Sequence, residues 1–115
     1  MTSQQEPFSR ISVEKAHELY QDGDSAVVDV RQMDEWVDGH VKGAVHIPVD
    51  EVISRVDELP ADKKLLFICA QGVRSALACE MAAAMGRDPE TLFNIEEGTQ
   101  AWIDRGYPTS YQNEP

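Results

Sequence analysis

Basic side chains are scarce. The 115-residue chain carries 10 Lys and Arg against 21 Asp and Glu, a formal net charge of −11. A nucleic-acid surface needs clustered cations to neutralise phosphates. Here the cations are few and scattered, so no nucleic-acid partner is expected. The acidity favours solubility and repels anions at long range. Long hydrophobic runs are missing too. No stretch approaches the roughly 20 apolar residues that span a bilayer, and Met1 to Pro7 has neither the basic nor the apolar region of a secretory signal. The expected setting is cytoplasmic, with no membrane partner. Cysteine is limited to Cys69 and Cys79, too few for a structural zinc set and better read as thiols than as a bridge. His17, His40 and His46 show no ligand spacing with them, so no metal site is expected.

What is present suits one globular domain: 42% hydrophobic and 27% charged residues over 115 positions. The expected organisation is a disordered tail over 1–8, a domain over 9–108 and a C-terminal tail over 109–115. Ser12 can cap a helix whose residues Val13, Ala16, Leu19 and Tyr20 share a face, with Gly23 ending it. Residues 25–30 read as a buried strand, 34–38 as a short helix closed by Gly39, and 44–47 as a second strand stopped by Pro48. Val49, Val52, Ile53, Val56 and Leu59 mark a helical face that Pro60 terminates. Residues 65–69 form the clearest strand and 75–85 the clearest helix, ended by Gly86. Another strand follows over 91–95 and a last helix over 99–105. Strands spaced by helices imply an α/β fold: a mainly parallel sheet of about five short strands with helices on both faces.

Ligands of such sheets sit at the carboxyl ends of the strands, where Cys69 lies. The stretch Cys69-Ala-Gln-Gly-Val-Arg-Ser75 links the clearest strand to the clearest helix. Gly72 lets the loop curl. A tight loop entering a helix N-terminus turns backbone N–H groups inward as an anion-binding nest. The helix dipole and Arg74 add positive charge. All of this favours a thiolate, the nucleophilic form. Cys69 could instead be only a small buried hydrophobe, but strand, loop and helix together favour chemistry.

Four segments in order resemble the rhodanese family, over roughly residues 10–108. They are Val28-Asp-Val-Arg31 with Glu35; Gly39-His-Val-Lys-Gly-Ala-Val-His-Ile-Pro48; the loop Cys69-Ala-Gln-Gly-Val-Arg74 with Ser75; and Asn94-Ile-Glu-Glu-Gly98 through Trp102 to Gly106-Tyr-Pro108. The resemblance implies the rhodanese-like α/β fold and a sulfurtransferase. Cys69 would take a sulfane sulfur from a donor such as thiosulfate or a persulfide, and pass it to cyanide or a thiol. By the same resemblance Ala70, Gln71, Gly72, Val73, Arg74 and Ser75 would cradle the persulfide, without metal or organic cofactor. The partners would be a small-molecule donor and acceptor, with a sulfur-relay protein as a further candidate. One departure is clear: the closing motif usually has two glycines, and the second is here Thr99.

Two other functions share this pattern. One is a non-catalytic or partner-dependent binding module, though such modules typically lack the cysteine. The other is a phosphatase or arsenate reductase, whose loop resembles this one but carries one more residue between Cys and Arg; here only Ala70 to Val73 intervene. Arg31 is expected to pair with Glu35 on the sheet rim, His40 to organise its glycine-flanked turn, and Cys79 to be a packed helix residue. Trp36, Trp102, Met81 and Met85 are expected to pack in or beside the core.

Overall fold

The computed structural model describes residues 6–115. Seven strands and four helices follow one another: β1 (Ser9–Ile11), α1 (Val13–Asp22), β2 (Ser25–Asp29), α2 (Met33–Val37), β3 (His40–Val41), β4 (Val45–His46), β5 (Lys64–Ile68), α3 (Val73–Ala84), β6 (Leu92–Ile95), α4 (Gly98–Asp104) and β7 (Thr109–Ser110). Five strands form one all-parallel sheet in the order β1-β6-β5-β2-β4. β3 and β7 form a separate antiparallel ribbon.

The central strand explains why the core has two sides. Successive side chains of a strand point to opposite faces. Leu65, Phe67 and Cys69 pack with Ala78, Cys79 and Ala82 of α3, whereas Leu66 and Ile68 pack with Val13, Ala16 and Leu19 of α1, Trp36 of α2 and Trp102 of α4. Every residue of 65–68 is nearly inaccessible, as a parallel strand covered on both faces requires. Helices therefore lie on both faces, as the alternation of strand and helix patterns implies.

Local signals explain the helix ends. The Ser12 hydroxyl accepts the Lys15 N–H at the start of α1, and Gly23 closes it in the left-handed conformation. Gln32 and Glu35 form a reciprocal capping box on α2.

The structure departs from the sequence reading in several places. Residues 49–59 form two 3₁₀ turns, Val49–Glu51 and Val56–Glu58, in place of one helix. The apolar spacing there is helical, but Val49, Val52, Ile53 and Val56 are β-branched and lose side-chain freedom in a helix. Helix α3 starts at Val73, two residues earlier than its periodicity suggests. The end segment 109–115 is held: Thr109 and Ser110 pair with His40 and Val41, the Gln112 N–H donates to the Val37 carbonyl, and the Gly43 N–H donates to Pro115. Within the expected N-terminal tail, residues 1–5 lie outside the described residues, and Phe8 is buried against the core. Met85 is exposed, while Met81 packs as expected. No helix among the described residues is long and apolar enough to cross a membrane.

Candidate active site

The loop after β5 gathers donors around one sulfur. The backbone N–H of Gly72 lies 3.1 Å from Cys69 Sγ and that of Ser75 lies 3.3 Å from it. The Ser75 hydroxyl oxygen is also 3.3 Å away. Gly72 makes this curl possible: it sits at φ +85° as the N-cap of α3, and a Cβ there would approach the Glu96 carbonyl oxygen to 2.6 Å. Burial is the largest influence on the Cys69 thiol and opposes its ionisation. The Ser75 hydroxyl and the N–H groups of Ser75, Gln71 and Gly72 together outweigh it, so the thiol is held below its ordinary pKa. Cys79, one element deeper, shows the contrary case: burial pushes its thiol well up, and it is free and packed in α3. Of the two thiols, Cys69 is the one whose surroundings favour ionisation.

A second layer holds the loop from behind. The Cys69 carbonyl accepts from both the N–H and the hydroxyl of Thr99, at 3.0 and 3.1 Å. Thr99 replaces the second glycine of the motif this sequence resembles, and its side chain adds a tether that glycine lacks. Asn94 of β6 is fully buried; its amide nitrogen donates to the Gly72 carbonyl at 3.1 Å, and its amide oxygen accepts the Ser75 hydroxyl. Sequence reading did not single out Asn94. A lone amide in the apolar strand Leu92-Phe-Asn-Ile95 was the available signal, since a buried polar group needs partners.

The ion pairs differ from expectation. Arg31 pairs with Asp29 at 2.6 Å, buried, and donates to the carbonyls of Glu35 and Gly39. Glu35 instead takes Arg74 in a two-pronged pair at 2.8 and 2.9 Å. The Arg74 guanidinium holds the Glu35 carboxyl far below the usual range, down to about 2, and Glu35 in turn raises Arg74. The cation of the loop is thus engaged by a carboxylate rather than aimed freely at the sulfur. Its role in the resting site is to lash α3 to α2. His40 is buried in its turn, with Nδ1 at 2.8 Å from the Trp36 carbonyl, Nε2 against the Glu114 carbonyl and its ring stacked on Trp36. It organises the turn, and the Glu114 contact ties the chain end to it. Among the described residues no group of three or more His, Cys, Asp and Glu is arranged to hold a metal ion.

Two shallow clefts flank the loop. One, about 250 Å³, is lined by Arg10, Gln71, Gly72, Val73, Ala76 and Glu96. The other, about 150 Å³, includes Arg31, Gly39, Ala70, Thr99 and Gln100. The expected loop residues therefore sit together. Gly72 and Ser75 contact the sulfur, Ala70, Gln71 and Val73 are exposed, and Arg74 is paired aside.

Comparison with known proteins agrees with this architecture. The Rhodanese-like domain family matches residues 12–105. The chain is 32% identical over 79 residues to the candidate sulfur carrier protein YrkF of Bacillus subtilis (strain 168), covering 69% of this chain and 42% of that protein. The chain thus spans less than half the length of this relative. A crystal structure of a rhodanese-related protein from Thermoplasma volcanium superposes with a TM-score of 0.78 at 32% identity, covering 90% of this chain and 98% of that one. A protein of unknown function from Rhodopseudomonas palustris CGA009, described as a candidate tyrosine phosphatase, gives a TM-score of 0.76 at 30% identity, covering 90% and 85%. The chain belongs to the rhodanese-like domain family.

Proposed function

We propose that this protein is a sulfurtransferase that carries sulfane sulfur as a persulfide on Cys69, cradled by residues 70–75. The observation that carries this reading is the convergence of the Gly72 and Ser75 N–H groups on a buried, acidified Cys69 sulfur. The thiolate attacks the outer sulfur of a donor. With thiosulfate, the S–S bond breaks, sulfite leaves with the electron pair, and Cys69 retains one added sulfur as a persulfide anion. An acceptor such as cyanide or a thiolate then attacks the terminal sulfur, and the bonding pair returns to Cys69. No net oxidation occurs and no cofactor is needed.

Intact-protein mass spectrometry after incubation with thiosulfate tests it. The wild type gains one sulfur mass that cyanide removes, and Cys69→Ser gains none. An adduct that persists in Cys69→Ser, or none with thiosulfate, 3-mercaptopyruvate and a protein persulfide in turn, overturns the reading. Hydrolysis of an aryl phosphate by the wild type would favour a phosphatase, which the four-residue spacing from Cys69 to Arg74 argues against. Thiosulfate is a dianion approaching a chain of net charge −11. Its turnover is therefore slow at low ionic strength and rises with salt, because screening weakens the repulsion. A rate that falls or stays flat as potassium chloride is added contradicts this.

A further inference from the structure

The ground around Cys69 combines apolar exposure with one sign of charge. Val73 is 75% exposed and Leu77 45% exposed, and they lie four residues apart on one face of α3. Glu80 continues that face and is also exposed. The Glu35–Arg74 pair joins α3 to α2, whose first residue, Met33, is 58% exposed and is followed by exposed Asp34. Gln32 bonds Asp50 across the next loop, where Ile53 is 51% exposed. Glu96 stands on the other side of the loop. Single exposed apolar residues are ordinary; several on neighbouring elements beside one acidified thiol are not.

Glu96 is paired with Arg10, whereas Asp34, Asp50 and Glu80 have no ion-pair partner among the described residues. Among the described residues, the arginines nearest the loop are already paired: Arg10 with Glu6 and Glu96, Arg31 with Asp29, Arg74 with Glu35. Lys63 and Lys64 lie at the start of β5, the end of the strand opposite Cys69. A second copy of this chain would meet its own acidity here, and a small dianion would find no unpaired guanidinium. A positively charged surface with apolar side chains fits both features.

We propose that Met33, Val73 and Leu77, rimmed by Asp34, Asp50, Glu80 and Glu96, form the docking surface for a basic protein that presents its own cysteine to Cys69. The proposal rests on the sulfur-transfer reading and names its acceptor. The partner thiolate attacks the terminal sulfur of the Cys69 persulfide. The new S–S bond forms on the partner as the old one breaks, and the electron pair returns to Cys69 as thiolate.

The probes are two short synthetic peptides, each with one cysteine and several leucines, one also rich in lysine and the other with glutamate in place of lysine. Binding to Cys69→Ser, read by fluorescence anisotropy, needs no sulfur chemistry. The lysine peptide binds at least roughly tenfold tighter than the glutamate peptide at low salt, by charge complementarity. The double variant Asp34→Lys/Glu80→Lys abolishes that preference. Met33→Ser and Leu77→Ser weaken both peptides. In the wild-type background Met33→Ser and Leu77→Ser slow transfer from Cys69 persulfide to the lysine peptide and leave transfer to cyanide unchanged. Equal binding of the two peptides, a preference that survives the charge reversal, or concentration-dependent dimerisation through these residues overturns the proposal. If peptide binding behaves as expected and Cys69 accepts no sulfur from any donor, the sulfur-transfer reading fails and the docking surface stands.

Discussion

Gly98→Ala displaces the Cys69 loop and lowers stability by about 4 kcal/mol, a strained backbone added to an overpacked contact. Gly98 sits at φ +83°, and a Cβ there would fall 1.9 Å from the Ala70 carbonyl oxygen and 3.0 Å from that of Cys69. Both atoms are backbone, so no side chain can swing aside. Gly23 provides the control. Its φ is similar, +79°, yet a Cβ there meets nothing within 4 Å. Gly23→Ala therefore carries only the left-handed backbone cost, about 1–2 kcal/mol. Urea denaturation of both variants checks the difference. A loss at Gly98 no larger than that at Gly23 would mean that the loop yields easily. Cys69 alkylation should also change in Gly98→Ala and stay as wild type in Gly23→Ala, because only the former crowds the Ala70 carbonyl and the Cys69 carbonyl that Thr99 anchors.

The same contact shows which parts of the site could be read from the sequence. The strand–loop–helix frame of Cys69 was legible, because a buried β-branched or apolar run, Gly72 and the Ala-rich segment after it are local signals. So were the caps of α1, since Ser12 and Gly23 act within a turn. The partners of Arg31 and Arg74 were not. Asp29 and Glu35 compete for Arg31 and Arg74, and which carboxylate each guanidinium takes depends on how α2 meets α3, a tertiary fact. Glu35 faces both arginines: its backbone carbonyl accepts from Arg31 and its side chain takes Arg74. The ribbon of β3 and β7 was hidden for another reason. Two-residue strands carry no period, and His40 to Ser110 is a long-range pairing. The run of Val49 to Leu59 misled because spacing alone does not register β-branching.

Ser75→Ala raises the pH midpoint of Cys69 alkylation by up to about one unit, because the Asn94 bond given up on ionisation offsets part of the donor's effect, whereas Asn94→Leu lowers it by about one. A hydrogen bond to a charged group is worth about 1.5–3 kcal/mol, and each pKa unit corresponds to about 1.4 kcal/mol. The opposite signs follow from counting protons. The Gly72 carbonyl can only accept, so the Asn94 atom facing it is the amide nitrogen. The amide oxygen then faces Ser75 and must receive the single hydroxyl proton. That proton cannot also reach Cys69 Sγ. In the thiol state the S–H donates to the Ser75 oxygen. On ionisation the hydroxyl turns to the sulfur and leaves the buried Asn94 oxygen without a donor. Removing the hydroxyl takes a stabilising donor from the thiolate, so the thiol becomes harder to ionise. Removing the Asn94 amide takes away the competitor, so the thiolate gains the donor at no loss elsewhere on the oxygen. Asn94→Leu also leaves the Gly72 carbonyl without its partner, which costs about 1–3 kcal/mol of stability. Destabilisation and a lowered midpoint thus arise together, a combination that simple loosening of the loop would not give. Iodoacetamide alkylation against pH reads the midpoint cleanly, because burial keeps Cys79 protonated throughout the neutral range. Midpoints that move upward in both variants would show that Asn94 acts only by holding the loop in place.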